Sequence, residues 1–278
     1  MASTGESVRQ LLRADPDAGD PLGRHGTDGT PGVAGKNEAA SQQEPDGERL
    51  GDLQERLWAE QRRAVLLVLQ GMDTSGKSGV IKHVGRSMNP HGVHVRGFKA
   101  PSDEEKAHDF LWRIHRALPA FGQVGIFDRS HYEDVLVVRV HGWVDEKGWL
   151  RRYGAINAFE EQLGEGGVTM VKCMLHISYD YQRERLLSRL EGPEKRWKFR
   201  EGDIDERKLW PDYMEAYADA VRHCSSAAPW YIVPADRKWY RKWAVARLLI
   251  ETLTEMDPRY PGPDYDVEAM KARLAPPN

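Results

Sequence analysis

An uninterrupted apolar run followed at once by a glycine-rich loop constrains the fold of this chain more than any other feature. The run is AVLLVLQ, residues 64–70, and the loop is GMDTSGKS, residues 71–78. An apolar run without polar alternation is typical of a strand that is buried on both faces, as in a parallel sheet. The loop matches the pattern G-x-x-x-x-G-K-[ST], in which backbone N–H groups and the start of a helix surround an anion. An ordinary glycine turn is the alternative, but it does not explain why the loop lies between a strand and an amphipathic helix.

The residue types of this loop suit phosphate binding. Gly71 and Gly76 allow the backbone to curl round an anion, and Lys77 supplies a mobile cation for terminal phosphates. Mg²⁺ binds oxygen ligands, so the hydroxyl of Ser78 is a candidate ligand for this ion. Asp73 is unusual, because a carboxylate inside a phosphate cradle repels the ligand unless it holds a metal or handles a proton or an attacking oxygen. A helix-entry aspartate that caps backbone amides is the alternative for Asp73.

Strands and helices alternate along the chain after this loop. Further strands are predicted at 93–98, 123–128, 168–178 and 230–234, and helices at 76–88, 102–118, 130–141 and 149–163. Strands that alternate with helices of about 10–15 residues predict right-handed βαβ units and a parallel sheet covered on both faces. The predicted fold class is therefore α/β, a three-layer sandwich with a central parallel sheet, in one domain over residues 50–258.

The first 49 residues differ in composition from the rest of the chain. All 25 Phe, Trp and Tyr residues fall in 51–278, whereas residues 1–50 contain eight Gly and four Pro. A segment without aromatic surface to bury does not offset its ordering entropy alone, so residues 1–49 are predicted to form a flexible tail. A helical apolar stripe that begins at Leu50 marks the predicted start of the domain. Residues 259–278 are predicted to be a C-terminal extension.

Charge and composition exclude several classes of protein. Forty Lys and Arg residues are balanced by 43 Asp and Glu, a net charge of −3, which argues against a general nucleic-acid binder. No apolar run approaches the roughly 18–20 residues that a membrane span needs. The opening residues MASTGESVRQ hold no apolar export segment, and the two cysteines are too few for a disulfide scaffold. We therefore expect a cytoplasmic protein with neither a membrane nor a nucleic acid as partner.

A second carboxylate follows the third predicted strand. The segment QVGIFD ends on Asp128, and Arg129 comes directly after it. Ligands of open α/β sheets bind at the carboxyl ends of the strands, so Asp128 is placed to anchor Mg²⁺ and Arg129 to contact a phosphate. The alternative is that Asp128 is only a turn residue.

A charged segment at 183–208 is the third feature of interest. It holds nine Lys or Arg and seven Asp or Glu, so most of it is expected to be a solvated helical face. Its tip, KRWKFR at 195–200, carries four cations in six residues and lies between Gly192 and Gly202. In phosphoryl transfer, a mobile basic lid closes over the phosphates, neutralises charge and excludes water. A surface helical hairpin is the alternative for this segment.

A tryptophan-rich basic stretch lies near the end of the predicted domain. Residues 229–243, PWYIVPADRKWYRKW, mix three Trp with several cations. Such a stretch could stack nucleic-acid bases, but a buried strand followed by an amphipathic helix explains it better.

Five segments of the chain together resemble the polyphosphate kinase 2 family. They are GMDTSGKSG, NPHGVHVRGFKAPSDEE, IFDRSHYEDVLVVRVHG, PEKRWKFREGDIDERKLWPDY and APWYIVPADRKWYRKW, and the resemblance extends from about Leu50 to Tyr260. It implies a P-loop kinase-like three-layer sandwich with a mobile helical lid at about 183–208. It also implies a Mg²⁺-dependent enzyme, for which Mn²⁺ is a substitute, that self-associates as a homodimer or homotetramer.

The implied reaction moves the terminal phosphate of inorganic polyphosphate reversibly to a nucleotide. The segment SHYEDVLVVRV is most similar to that of the branch called class III. Members of this branch phosphorylate both AMP and ADP, or the guanine equivalents, to ADP and ATP. One departure is Ser78, since family loops often read G-K-G or G-K-D at that point.

The resemblance assigns expected roles by position. Asp73, Lys77, Asp128 and Arg129 are the expected catalytic residues, and Asp73 and Asp128 the expected Mg²⁺ ligands, with Ser78 and Glu133 as further candidates. The residues expected to bind phosphate or polyphosphate are Gly71, Thr74, Ser75, Gly76, Lys77, Ser78, Gly79, Lys82, Arg129, Arg185, Arg189, Lys195, Arg196, Lys198 and Arg200.

Two other functions remain open at this point. An ATP-dependent nucleotide or nucleoside kinase of the same fold would use the same phosphate loop, the same Asp-Arg pair and a similar lid. A non-catalytic polyanion-binding protein would use the tryptophan-rich basic stretch, but it would not need two carboxylates suited to Mg²⁺.

Overall fold

The centre of the protein, given by a computed structural model that describes residues 6–274, is one five-stranded sheet. The strands are β1 (Ala64–Gln70), β2 (Val93–Gly97), β3 (Val124–Asp128), β4 (Val168–His176) and β5 (Trp230–Pro234). Their order in the sheet is β2-β3-β1-β4-β5, and every neighbouring pair is parallel. The predicted α/β class and the parallel sheet are confirmed.

Twelve described α-helices surround or extend this sheet. They are α1 (Val8–Leu12), α2 (Lys36–Glu60), α3 (Lys77–Gly85), α4 (Asp103–Lys106), α5 (Trp112–His115), α6 (Val137–Val140), α7 (Glu146–Glu165), α8 (Tyr179–Glu191), α9 (Gly202–Lys208), α10 (Trp210–His223), α11 (Lys238–Met256) and α12 (Val267–Leu274). Three short 3₁₀ turns lie at Pro90–Gly92, His131–Asp134 and Pro193–Lys198.

The position of β1 explains its uninterrupted apolar sequence. All seven of its residues are buried, because β3 and β4 flank it in the sheet and helices cover both faces. Leu67, for example, lies opposite Ile126 on one side and Val171 on the other. Since the strands are parallel, the segments that follow β1, β2, β3 and β5 all emerge at the same edge of the sheet.

Two predicted helices are broken in the structure. The segment 102–118 forms α4 and α5 instead of one helix, although Ser102 and Glu105 form the expected capping box at its start. The side chain of Asp109 accepts a hydrogen bond from the Leu111 amide at 2.9 Å, which favours a turn between the two helices. The segment 130–141 likewise consists of a 3₁₀ turn and the short helix α6.

The prediction that residues 1–49 form a flexible tail is wrong for the described part, residues 6–49. Val8, Leu12, Leu22 and Val33 are all buried. The amide of Ala14 donates to the carbonyl of Trp230 at 2.8 Å, so the segment covers the outer edge of β5. Aliphatic side chains are enough to hold it, because β5 and α11 supply the apolar surface that the segment itself lacks.

Helix α2 crosses the domain boundary predicted at residue 50. It begins at Lys36, and Leu50, Leu53 and Leu57 bury its apolar stripe against the rest of the domain. The helix ends at Gln61, which has the left-handed conformation and whose amide donates to the carbonyl of Leu57. At the other end of the chain, none of the described residues of α12 is buried.

The segment predicted as a lid is a helical excursion between β4 and β5. It consists of the second half of α8, the turn Pro193–Lys198 and α9, and neither the turn nor α9 buries a side chain. None of the described helices has both the length and the apolarity needed to cross a bilayer.

Candidate active site

The phosphate loop between β1 and α3 adopts a backbone that its sequence specifies. Gly71 and Gly76 have φ angles of +139° and +97°, in the region that favours glycine. A Cβ atom on Gly71 would lie 2.6 Å from the carbonyl oxygen of Leu175, and one on Gly76 would collide with the guanidinium of Arg241. The loop therefore requires glycine at both positions for steric as well as conformational reasons.

Lys77 is buried at the start of α3, beneath the loop. Its Nζ atom donates to the carbonyl of Gly71 at 2.7 Å. Burial, together with the positive charge of Arg129, lowers the pKa of Lys77 below its ordinary value, while Asp73 acts in the opposite direction. The ammonium group is thus held close to the loop, where a bound phosphate would meet it.

Asp73 forms an ion pair with Arg129, which links the phosphate loop to the end of β3. An Nη atom of Arg129 lies 2.7 Å from an Oδ atom of Asp73. Burial alone would raise the pKa of Asp73, but Lys77, Arg129 and Arg189 outweigh it and hold the pKa below the ordinary value. Asp73 is therefore a carboxylate at neutral pH, paired with cations and not with backbone amides.

Arg129 has a strained backbone conformation. Its φ angle is +67°, which non-glycine residues rarely adopt, and its amide donates to the carbonyl of Leu69 at 3.0 Å. The next residue, Ser130, is fully buried, and its Oγ accepts hydrogen bonds from Gln70 and from the Tyr132 amide, both at 3.2 Å. Strain of this kind persists only where the surroundings fix the backbone.

A fully buried polar network supports the turn that follows Arg129. Glu160 on α7 accepts from Lys172 on β4 at 2.5 Å and from the hydroxyl of Tyr132 at 2.7 Å, and it lies 3.1 Å from Nε2 of His131. Lys172 also donates to the carbonyl of Cys224 at 2.6 Å. Burial opposes the charge of Glu160, but Lys172 and His131 hold its pKa below the ordinary value. The network fixes His131 and Tyr132, and through them the segment that carries Arg129.

A cavity that we call the main cavity, because it contains the phosphate loop, lies where these elements meet, at the carboxyl ends of β1, β2, β3 and β5. It has a volume of about 540 Å³, and ten of the residues that line it are Lys or Arg, against two aspartates, Asp73 and Asp128. The ten cations are Lys77, Lys99, Arg129, Arg185, Arg189, Lys195, Lys198, Lys238, Arg241 and Lys242. Such an excess of positive charge in a concave site suits a polyanionic ligand.

Comparison with known proteins agrees with this geometry. The model of the polyphosphate kinase 2 family matches residues 34–261 of the chain. The chain belongs to the polyphosphate kinase 2 family. The resemblance inferred from its sequence motifs is thereby confirmed.

Individual members of the polyphosphate kinase 2 family are similar over most of their length. The chain is 47% identical over 254 residues to the AMP/ADP-polyphosphate phosphotransferase of Meiothermus ruber, a match that covers 91% of this chain and 95% of the relative. It is 45% identical over 227 residues to the ADP-polyphosphate phosphotransferase of Rhodopseudomonas palustris, covering 77% and 78%. The crystal structure of polyphosphate kinase 2 from Arthrobacter aurescens TC1 matches with a TM-score of 0.94 at 46% identity, over 98% of each chain.

Most of the predicted site residues of this polyphosphate kinase 2 chain lie together in the main cavity. They are Asp73, Thr74, Gly76, Lys77, Ser78, Gly79, Asp128, Arg129, Arg185, Arg189, Lys195 and Lys198. Gly71 and Glu133 instead line a smaller second cavity of about 50 Å³, which also includes Asp73 and Arg129. Burial raises the pKa of Glu133, against the effect of the neighbouring Arg129 and Lys77.

Four predicted phosphate contacts do not line either cavity. Ser75 is buried within the loop, and Lys82 is exposed farther along α3. The guanidinium of Arg196 donates to the carbonyl of Leu190 at 2.9 Å, and the amide of Arg200 donates to Asp203 at 3.3 Å. The lid tip that carries these two arginines forms a 3₁₀ turn that ends at Lys198, before Arg200.

Sequence reasoning missed four cations of the main cavity. Lys99 follows β2, and Lys238, Arg241 and Lys242 lie on the first turns of α11. The sequence does contain a signal for three of them, because the spacing of Lys238, Arg241 and Lys242 places these residues on one face of a helix directly after a strand. The interpretation of this stretch as a buried strand followed by an amphipathic helix is correct, but it does not by itself indicate that the cationic face of the helix points towards the phosphate loop.

Kinases of this family generally need a divalent metal ion. No group of three or more His, Cys, Asp and Glu side chains between residues 6 and 274 is arranged to hold one. Asp73 and Asp128 nevertheless line the same cavity, and Ser78 lines it as well. Mg²⁺ is commonly bound by one or two carboxylates together with substrate phosphates, so the residues present fit this ion.

Proposed function

We propose that this protein transfers the terminal phosphate of inorganic polyphosphate reversibly to AMP and to ADP, or to the guanine equivalents. The observation that carries the proposal is the main cavity, where ten cations and two carboxylates surround the phosphate loop. The names of the relatives from Meiothermus ruber and Rhodopseudomonas palustris, which specify AMP/ADP and ADP, support the acceptors.

The lining of the cavity favours polyphosphate over ATP as donor. Among its eighteen described residues, Phe98 is the single aromatic one, and Phe98 is buried with its ring against Phe127 at 4.9 Å. A nucleotide donor would need a surface for its base, whereas a linear polyanion needs only cations along its path. The cations of α8 and α11 provide such a path on either side of the phosphate loop.

The two cavities suggest where donor and acceptor meet. Asp73 and Arg129 line both the main cavity and the second cavity, so phosphates that enter from the two sides come together at this pair. At about 50 Å³ the second cavity is too small for a nucleotide. Leu186, Asp203 and Glu206 of the lid form one of its walls, and lid movement would therefore open it.

In the proposed reaction, an oxygen of the acceptor phosphate attacks the terminal phosphorus of polyphosphate. The bond from that phosphorus to the bridging oxygen breaks, and the donor leaves one phosphate shorter with its new terminal oxygen charged. Lys77 and Arg129 neutralise charge on the transferred group, and the carboxylate of Asp73 orients the attacking oxygen. The cations of the lid hold the donor and exclude water from the site.

We propose Mg²⁺ as the ion, with Mn²⁺ as a substitute, held by Asp73 and Asp128 and with Ser78 as a further ligand. When held by these residues, the ion would supply positive charge that reduces the repulsion between the donor phosphates and the attacking oxygen. Glu133 is a weaker candidate ligand, because it lies in the second cavity and burial raises its pKa.

We also propose a cytoplasmic protein that self-associates as a homodimer or homotetramer. Val95 and Phe121, which are 50% and 47% exposed, are apolar side chains that a subunit interface would cover. Sedimentation of the purified chain tests the assembly, and a monomer at all concentrations would contradict it.

A matrix of donors and acceptors tests the proposed reaction. Polyphosphate or ATP is offered with AMP, ADP, GMP or GDP in the presence of Mg²⁺, and each product is quantified. We expect polyphosphate to yield ADP from AMP and ATP from ADP. Transfer from ATP to a nucleoside, without any transfer from polyphosphate, would contradict the proposal.

A further inference from the structure

A third cavity, which is also lined by cations, lies beside the main cavity, between α2, α3 and α11. It has a volume of about 410 Å³, and we call it the distal groove. Its basic residues are Lys36 from α2, His83 from α3, Arg86 directly after α3, and Lys238 and Lys242 from α11. Lys238 and Lys242 line the main cavity as well, so the two cavities share a wall of cations.

The positive charge of the distal groove is not neutralised within the described part of the protein. Asp46 is the one acidic residue that lines the groove there, and it is paired with Arg247 at 2.8 Å. Lys36, Arg86, Lys238 and Lys242 form no ion pair with a described carboxylate. The exposed side chains of Lys106, Lys208 and Lys271, in contrast, each pair with a neighbouring acid.

Mutual repulsion among these cations is visible in two titrating groups. Burial lowers the pKa of Lys238, and Arg185 and Arg241 lower it further. Burial also lowers the pKa of His83, with added contributions from Lys242 and Arg86. A folded protein that keeps cations this close without acids gains when an anion binds between them.

The groove continues the path of a chain that starts at the phosphate loop. Arg86, at the end of α3, lies nine residues after Lys77, which corresponds to about 14 Å along the helix axis at 1.5 Å per residue. Lys238 and Lys242 are one helical turn apart on α11 and join the two cavities. A long linear polyanion anchored at Lys77 can therefore extend along α3 and α11 into the groove.

We propose that the distal groove is a second polyphosphate subsite, which binds the phosphates of the donor chain that lie beyond the main cavity. This inference rests on the proposed function. A short donor such as tripolyphosphate contacts the main cavity alone, whereas a long chain contacts the main cavity and the distal groove. The groove therefore lowers the KM for long donors relative to short ones.

The aromatic residues of the groove favour a polyphosphate over a nucleotide as occupant. The ring of Trp243 is only 6% exposed, and its Nε1 donates to Gln42 at 2.7 Å, so it offers no open face to a base. Trp239 is partly exposed and packs edge-on against Tyr240. Stacking of a base on Trp239 is the competing occupant that the test must separate.

The test compares donors of different length in a double variant, Lys36→Ala with Arg86→Ala. Both side chains are exposed and line the distal groove but not the main cavity, so the fold is not expected to change. The matched control is Lys147→Ala with Arg151→Ala, which removes the same charge from exposed positions on α7. KM and kcat are measured with long-chain polyphosphate and with tripolyphosphate, each with saturating ADP.

We expect the KM for long-chain polyphosphate to rise about three- to tenfold in the double variant, with kcat retained. The slope of log KM against log salt concentration should decrease by about one for each phosphate contact that is lost. The KM for tripolyphosphate and the values of the control variant should stay at the wild-type level.

Three results would overturn the inference. These are an unchanged KM for the long donor, an equal rise for both donors, or a rise in the KM for ADP, which would indicate a nucleotide in the groove. Failure of the proposed function is distinguishable, since in that case the wild-type protein itself would not use polyphosphate. Titration of full-length protein with long polyphosphate and with tripolyphosphate, without nucleotide, gives the same comparison independently of turnover.

Discussion

A few residues that line the main cavity carry the proposed chemistry. Asp73, Lys77 and Asp128 line the main cavity, and Asp73 is paired with Arg129 at 2.7 Å. We predict that Asp73→Asn, Asp128→Asn and Lys77→Ala each lower kcat by about a hundredfold or more, the scale of a lost electrostatic stabiliser. Single-turnover rates with polyphosphate and ADP measure the effect, with Lys147→Ala as control. Near-normal turnover of Asp73→Asn would show that Asp73 only stabilises the loop.

The buried pair of Glu160 and Lys172 makes a separate prediction about stability. Both side chains are fully enclosed, and removal of one partner leaves the other as an uncompensated buried charge. We expect Lys172→Met to reduce the free energy of unfolding by about 3–5 kcal/mol. The double variant Lys172→Met with Glu160→Leu should lose less than the single variant, because no charge is then left unpaired. Urea denaturation measures both, and a double variant that loses more would contradict this.

His176 makes the stability of the protein depend on pH. Burial lowers its pKa below the ordinary value of 6.5, although Asp20 and Asp236 oppose the shift. The unfolded chain therefore binds a proton at a higher pH than the folded chain, so stability is lost as the pH falls below 6.5 and through the lower folded value. Urea denaturation between about pH 7.5 and pH 5.5 should show a smaller loss for His176→Gln than for the wild type. Equal losses would assign the pH dependence to other groups.

At the scale of secondary-structure elements, the lid is a weakly anchored part of the domain. The turn Pro193–Lys198 and α9 bury no side chain, and Trp197 is 78% exposed. Hydrogen bonds hold the tip to α8, from Arg189 to the carbonyl of Lys198 at 3.1 Å and from Arg196 to Leu190 at 2.9 Å. Elements with few buried contacts open locally at low cost in free energy, which is the property that a lid requires.

We predict that amide hydrogen exchange in residues 193–202 is fast in the free protein and about tenfold slower with polyphosphate and ADP bound. Binding would place phosphates between the lid cations and the loop, and so fix the lid. Residues 146–151 at the start of α7 lie outside both cavities and serve as the internal control. Exchange at 193–202 that is slow without substrate would show that the lid is rigid.

At the scale of the whole molecule, the N-terminal segment belongs to the folded domain. Val8, Leu12, Leu22 and Val33 are buried, and the hydroxyl of Tyr240 donates to the carbonyl of Pro31 at 2.9 Å. Each buried aliphatic side chain stabilises a fold by about 1.5–3 kcal/mol, so deletion of residues 1–35 should cost on the order of 5 kcal/mol.

Truncation after residue 261 is the matched control, because α12 buries none of its described residues and should contribute little. Thermal denaturation of the two truncated proteins measures the difference. An unchanged melting temperature after the N-terminal deletion would restore the interpretation of a dispensable tail.

The sequence by itself determined the sheet, the phosphate loop and the family. AVLLVLQ and the following GMDTSGKS specify their structure locally, since burial on both faces and the positive φ angles of Gly71 and Gly76 depend on residue type alone. The place of Asp128 at the carboxyl end of a strand follows from the same local pattern, together with the rule that parallel strands end at one edge.

Tertiary structure alone decided which cations face the site and whether the N-terminal segment folds. Arg185 and Lys238 come from distant elements and meet only because β4 and β5 are adjacent in the sheet. Arg196, which the family resemblance implied as a phosphate contact, does not line the main cavity, and its Nε donates to the carbonyl of Leu190 instead. Residues 6–49 lack aromatic surface, yet they fold because β5 and α11 provide the partner surface. A local sequence pattern indicates which secondary structure its residues favour. The position of a cation in the site and the folding of the N-terminal segment depend instead on which surfaces the fold brings together.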